Sequence, residues 1–153
     1  MPRRKKGTEE ELRQLVKAHK ETRKQLGGLS TAVGYTLENE AFKALPALLK
    51  RDYGLSVQGR LKRQYVKDNT GCDNEINILG EASKNGDELT IVGESKSQLS
   101  KKGVDEFLRK KANRLKGVYD NIFTILVTHM ITSPDVERYA RDKGIALYYS
   151  YDF

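Results

Sequence analysis

Apolar residues recur along this chain in two different periods, and the change from one to the other marks its organisation. Leu12, Leu15, His19, Thr22, Leu26 and Leu29 fall at alternating spacings of three and four, which predicts a helix over 8–29 with a weak heptad seam. Thr8 followed by Glu11 makes a capping box at its start, and Gly27-Gly28 ends or kinks it. So few apolar positions cannot hold an isolated helix, so it packs on the rest of the chain or pairs with a second copy. We divide the chain accordingly: a basic tail and oligomerisation helix over 1–29, and a folded domain over 30–153.

A second helix is predicted over 31–50. Leu37, Ala41, Ala44 and Leu48 form one stripe, with Phe42, Leu45 and Leu49 beside it. Pro46 lies inside this pattern and predicts a kink or early break. Glu38 stands at the edge of the buried stripe, where a carboxylate needs a partner. The period then shortens to two. Leu61–Val66, Glu75–Ala82 and Glu88–Ser95 read as strands, and Asn85-Gly86 is the preferred pair for a type I′ hairpin between the last two. Lys101–Lys116 reads as a helix buried through Val104, Phe107, Leu108 and Leu115. Asn121–Thr128 is an unbroken apolar run, the mark of a strand covered on both faces. Ser133 and Pro134 open a short helix to Lys143 as N-cap and first residue, and Ile145–Tyr149 closes the order as a strand. The expected fold is α/β with a mixed, mainly five-stranded sheet.

Composition narrows the function classes. Among 153 residues, 28 Lys plus Arg stand against 21 Asp plus Glu, a net charge of +7. That balance favours polyanionic partners, since each cation near a phosphate releases counterions. A single cysteine, Cys72, excludes an internal disulfide, and no apolar run reaches the length of a membrane span. The basic residues of Met1–Lys6 have no apolar segment behind them, so a cytoplasmic location is expected. No Cys/His cluster suits structural zinc, and the glycines form no phosphate-binding loop. His19 and His129 read as surface residues, and Tyr148, Tyr149 and Tyr151 as the finish of a strand.

The hairpin brings chemistry together. With Asn85 and Gly86 as its loop, Lys84 faces Asp87, Leu79 faces Val92, Asn77 faces Glu94 and Glu75 faces Lys96. Alternation then puts Glu75, Asn77, Glu94 and Lys96 on one sheet face. A carboxylate and an ammonium two residues apart on a strand suit phosphodiester hydrolysis. The carboxylate, with a main-chain carbonyl, holds a hard divalent cation. The lysine orients or deprotonates water, or stabilises the developing charge. Taken alone, the Glu-Ser-Lys tripeptide, with Glu75 opposite Lys96, reads more readily as a cross-strand ion-pair network on a solvated face, worth at most about 1 kcal/mol per pair.

Taken with Glu38 and the element order, these residues make the chain resemble the PD-(D/E)XK nuclease-like superfamily over roughly 31–150. Glu38 in Gly34-Tyr35-Thr36-Leu37-Glu38 matches the helix glutamate. Glu94 and Lys96 in Gly93-Glu94-Ser95-Lys96 match the (D/E)XK pair, and Glu75-Ile76-Asn77-Ile78-Leu79-Gly80 matches the strand that carries the superfamily's Asp. The heptad-like helix, the Leu-Gly-Gly-Leu link and the core together resemble uncharacterised prokaryotic members. The resemblance implies a restriction-endonuclease-like αβββαβ core and DNA cleavage with Mg²⁺ or Mn²⁺, most often by a homodimer. Its implied site is Glu94 as metal ligand, Asn77 beside it, Lys96 on the attacking water and Glu38 assisting. Arg60, Lys62, Arg63, Lys101 and Lys102 are the expected phosphate contacts. Asn77 departs from the pattern, because an amide offers oxygen without charge. Asp73 or Glu75 serves as a displaced ligand, or the fold is kept for nucleic-acid binding or assembly alone, or Asn77 is an inactivating substitution.

Overall fold

A computed structural model describes residues 36–153; the helix expected over 8–29, with its Gly27-Gly28 end, lies outside them. The described chain begins in helix α1, residues 36–53, followed by β1 (Ser56–Lys67), β2 (Asp73–Lys84) and β3 (Asp87–Leu99). Helix α2 (Lys101–Phe107) continues into a π-helical turn, Leu108–Ala112, and a 3-10 turn, Asn113–Leu115. Then come β4 (Ile122–Ile131), α3 (Val136–Asp142), β5 (Ala146–Tyr149) and a last 3-10 turn, Ser150–Asp152.

The five strands form one sheet in chain order. β1, β2 and β3 pair antiparallel, whereas β3, β4 and β5 pair parallel, as the expected mixed sheet requires. Each parallel connection carries helix across a face, the usual way to join parallel neighbours. α1 buries Leu37, Ala41, Leu45 and Leu49 against Ile78, Ile91 and Ile125 of the sheet. On the other face Val104, Phe107, Leu115 and Val136 pack on Val92, Leu126 and Leu147. β4 supplies Ile125 and Val127 to one layer and Leu126 to the other, which accounts for its unbroken apolar run.

Three local readings are corrected. The early break expected at Pro46 does not occur: α1 stays helical to residue 53, so burial of its stripe outweighs the lost hydrogen bond. The single helix expected over 101–116 is three turns of different pitch. The π turn inserts extra backbone where Lys110 carbonyl accepts from buried Asn74 and Lys111 reaches β2. α3 begins at Val136 rather than Pro134. Ser133 does not cap it, because its hydroxyl donates to Asp135 at 2.6 Å.

Candidate functional site

The end of the sheet where β2 and β3 part is built from the hairpin outward. Asn85 at φ 52° and Gly86 at φ 86° both take the left-handed conformation that a type I′ turn requires. The ladder follows with Lys84 on Asp87 and Leu79 on Val92, and its last paired residues are Ile78 and Gly93. Gly93 is there for lack of space: a Cβ would lie 2.9 Å from the Ile125 carbonyl oxygen and 3.2 Å from Ile78 Cβ. The next residue on β3 is Glu94.

Beyond Ile78 the expected pairing of Asn77 with Glu94, and of Glu75 with Lys96, is absent from the ladder. The cause lies in β2. Between the pairs Lys62–Leu79 and Gln64–Ile76, β2 spends three steps against two in β1, a bulge that contains Asn77. An extra residue reverses the alternation. Ile78 accordingly belongs to the layer under α1, while Ile76 belongs to the opposite layer. The four polar groups therefore do not share one face. Glu94 and Lys96 follow Val92 onto the α2 side, and Glu75 turns towards α1.

On the α1 side, Glu38 is buried to 3% exposure and meets a bidentate partner. Arg63 donates from Nε to Oε1 at 2.9 Å and from Nη2 to Oε2 at 2.5 Å. Its Nη1 also bonds the Glu75 carboxylate. The hydroxyl of Tyr65 and the guanidinium of Arg63 hold the Glu75 carboxyl below its ordinary range. These two acids raise the Arg63 pKa against the opposing pull of burial. The partner that Glu38 required is thus Arg63, expected from sequence only as a phosphate contact.

Across the sheet Glu94 has a different environment. Its side chain is 15% exposed, and Lys96 Nζ stands 3.8 Å from Oε1, too far for a hydrogen bond. Burial raises the Glu94 pKa, opposed by the charges of Lys96, Lys111 and Lys110. Among the described residues no buried side-chain oxygen or nitrogen lacks a hydrogen-bond partner, which leaves the Glu94 oxygens reaching solvent. Lys111 was not singled out by the motif. From the π turn its Nζ donates to the Glu75 carbonyl at 2.6 Å and to Asn74 Oδ1 at 2.9 Å. It holds the end of β2 where β3 no longer does, and its charge acts on both Glu75 and Glu94. The signal for it was present in the run Arg109-Lys110-Lys111, but no spacing rule separates one lysine of such a run from the others.

The other expected residues are dispersed. Asp73 is exposed at the start of β2, 3.9 Å from Lys67. Arg60 and Lys62 are exposed on β1, and Lys102 is exposed at the start of α2. Lys101 pairs with Asp135 and lies 5.6 Å from the centre of the Tyr139 ring. The same partner, with Ser133, lowers the Asp135 pKa to about 2.

Among the described residues no three His, Cys, Asp or Glu side chains form a metal-holding group. Glu38 and Glu75 are engaged by Arg63, and the further carboxylate whose charge reaches Glu94 is that of Glu106. That set fits a Mg²⁺ ion shared with a substrate phosphate, because Mg²⁺ is commonly held by one or two carboxylates plus the phosphates it serves. It does not fit a resident ion enclosed by protein ligands. No described helix is long and apolar enough to cross a membrane.

No family model matches the chain, and no curated protein matches it. Among solved structures it is similar to the crystal structure of a protein of unknown function, AF1548, at a TM-score of 0.45 and 18% identity. The match covers 72% of this chain and 58% of that one.

Proposed function

We propose that the chain is a metal-dependent DNA phosphodiesterase of the PD-(D/E)XK nuclease-like kind, on a restriction-endonuclease-like core, acting as a homodimer. One observation carries the reading: Glu94 is a largely buried carboxylate, its pKa raised by burial against the nearby lysine charges, with no hydrogen-bond donor among the described residues. Such a group is costly unless a cation uses it. Lys96, two residues along the same strand, stands beside it without a close bond.

Mg²⁺ or Mn²⁺, when bound with the DNA, would supply positive charge at the scissile phosphate. Glu94 is the residue that would hold it, and Asn77 stands at the position where the superfamily's pattern places a second ligand. Lys96 is placed to orient the attacking water or to stabilise charge on the phosphate oxygens. Lys111 fixes the end of β2 and adds a second cation near Glu94. Of the expected phosphate contacts, Arg60, Lys62 and Lys102 are exposed and available to the DNA backbone.

The test is cleavage of circular and branched DNA with Mg²⁺ or Mn²⁺, comparing the parent with Glu94→Gln, Lys96→Ala and Asn77→Asp. Metal-dependent cutting that both Glu94→Gln and Lys96→Ala abolish is the expected result. A second reading, a non-catalytic nucleic-acid-binding or assembly protein, is favoured by the neutralisation of Glu38 and Glu75 by Arg63. Silence from the parent and from Asn77→Asp, with DNA binding that ignores metal and falls steeply with salt, would select it.

A further inference from the structure

We infer that the cleft between the bulged edge strand β1 and Tyr119 is a binding site for one nucleoside monophosphate unit, with a preference for guanine. The inference goes beyond the DNA reading above, because it needs neither Glu94 nor a metal. The cleft has a volume of about 330 Å³ and is lined by Gln58, Arg60 and Lys62 of β1, Leu79 and Glu81 of β2, and Tyr119. That volume suits a small ligand. Between the pairs Gln58–Glu81 and Lys62–Leu79, β1 spends four steps against two in β2. The surplus residues form a bulge, with Gly59 at φ 71°, and Arg60 stands on it. Leu79 belongs to the layer under α2 and Lys62 is its partner, so the cleft lies on the α2 side of the sheet.

The fold does not use the polar side chains of this cleft. Among the described residues Gln58, Arg60, Lys62 and Glu81 make no side-chain hydrogen bond or ion pair with another residue. Arg63, between them in the same strand, is by contrast engaged by Glu38 and Glu75. Two cations and a carboxylate therefore line one cavity without neutralising each other. That arrangement suits a ligand with an anion at one end and hydrogen-bond donors at the other, and a nucleotide is such a ligand. Its phosphate is matched by Arg60 and Lys62, and its base by Glu81 and Tyr119. An ionised carboxylate only accepts hydrogen bonds. Among the DNA bases guanine presents an imino and an amino donor side by side on its pairing edge, which a carboxylate can accept together. Burial, with the charge of Glu81, raises the Tyr119 pKa, so its hydroxyl stays protonated. A pairing edge is open only in an unpaired nucleotide, so the source is a free nucleotide or an unpaired guanine in a strand.

The test is isothermal titration calorimetry of the full chain with chelator present. The probes are guanosine, adenosine and cytidine monophosphates, guanosine, and inorganic phosphate. Guanosine monophosphate is expected to bind saturably and more tightly than the others. Arg60→Gln and Lys62→Gln should each weaken it by about tenfold, and Glu81→Gln should remove the preference for guanine. All three side chains are exposed, so the variants should melt near the parent, which the same samples can report. Absence of saturable binding, inorganic phosphate binding as tightly as the nucleotide, equal affinity for the three nucleotides, or affinity untouched by Lys62→Gln and Glu81→Gln would overturn the inference. Displacement of the bound nucleotide by an oligodeoxynucleotide with an unpaired guanine supports it with a strand as the source. Saturable binding without displacement supports it with the free nucleotide. Nucleotide binding by a chain that cuts no DNA in Mg²⁺ would sink the nuclease reading and leave this one. Metal-dependent cleavage without nucleotide binding would do the reverse.

Discussion

On the α1 side of the sheet Glu38 is buried and fully engaged by Arg63, whereas on the α2 side Glu94 is also largely buried but meets Lys96 only at 3.8 Å. Both are carboxylates taken out of water by the same sheet. In the first case two parallel hydrogen bonds from a guanidinium, with Glu75 on the same group, compensate the charge. In the second, lysines lie close enough to be felt and too far to bond, and the pKa of Glu94 stays raised. A charge matched within the fold holds elements together. A charge left partly unmatched, with access to solvent, is available to something that is not part of the fold.

That contrast can be broken from its stronger side first. Arg63→Met strands Glu38 without its partner, and a loss on the order of 3 kcal/mol is expected in urea unfolding. Adding Glu38→Gln should recover much of it, because the stranded charge is then gone. A loss below about 1 kcal/mol in Arg63→Met would mean that the bridge is ornamental, as exposed ion pairs usually are. Gly93→Ala comes next, at about 2 kcal/mol, because the added methyl meets the Ile125 carbonyl of the neighbouring strand rather than a side chain that can move. Thermal melting that matches the parent would show that β3 and β4 can separate there freely.

Lys111→Met removes the donor that holds the Glu75 carbonyl and Asn74, and about 1 kcal/mol of stability should go with it. Faster amide exchange confined to the start of β2 is the expected local signature. The smallest effect should have the opposite sign. Burial raises the Glu94 pKa, so the fold favours its protonated form. The cost of ionising it is absent below the ordinary carboxylate value of 4.5 and develops as pH rises through that value to the folded one. Glu94→Gln should therefore raise the melting temperature slightly at pH 7, with the gain disappearing at acid pH. A lowered melting temperature at pH 7 would show that Lys96 and Lys111 overcompensate burial.

Much of the architecture was legible in the residues. Asn85-Gly86 specified its turn and, through it, the register as far as Ile78 and Gly93. The run Asn121–Thr128 announced a strand covered on both faces, and the α1 stripe named most of its buried positions. Glu38 was legible as a carboxylate in need of a partner, but the partner was not. Arg63 is 25 residues away on a strand whose pairing with β2 contains irregularities that no local pattern announces.

The sequence by itself determined most of the elements, their order, the hairpin and the presence of a Glu-x-Lys pair. These follow from turn chemistry and from the spacing of apolar residues, which act between near neighbours in the chain. Only the tertiary structure decided which acids stand together. One extra residue in β2 at Asn77 reversed the alternation, sent Glu75 to Arg63 and left Glu94 with Lys96 on the other side. A bulge is settled by how strands fit their neighbours and the layers above them, a balance among contacts distant in sequence. For that reason the strand register could be read from residues 84–87, and the grouping of the site's charges could not.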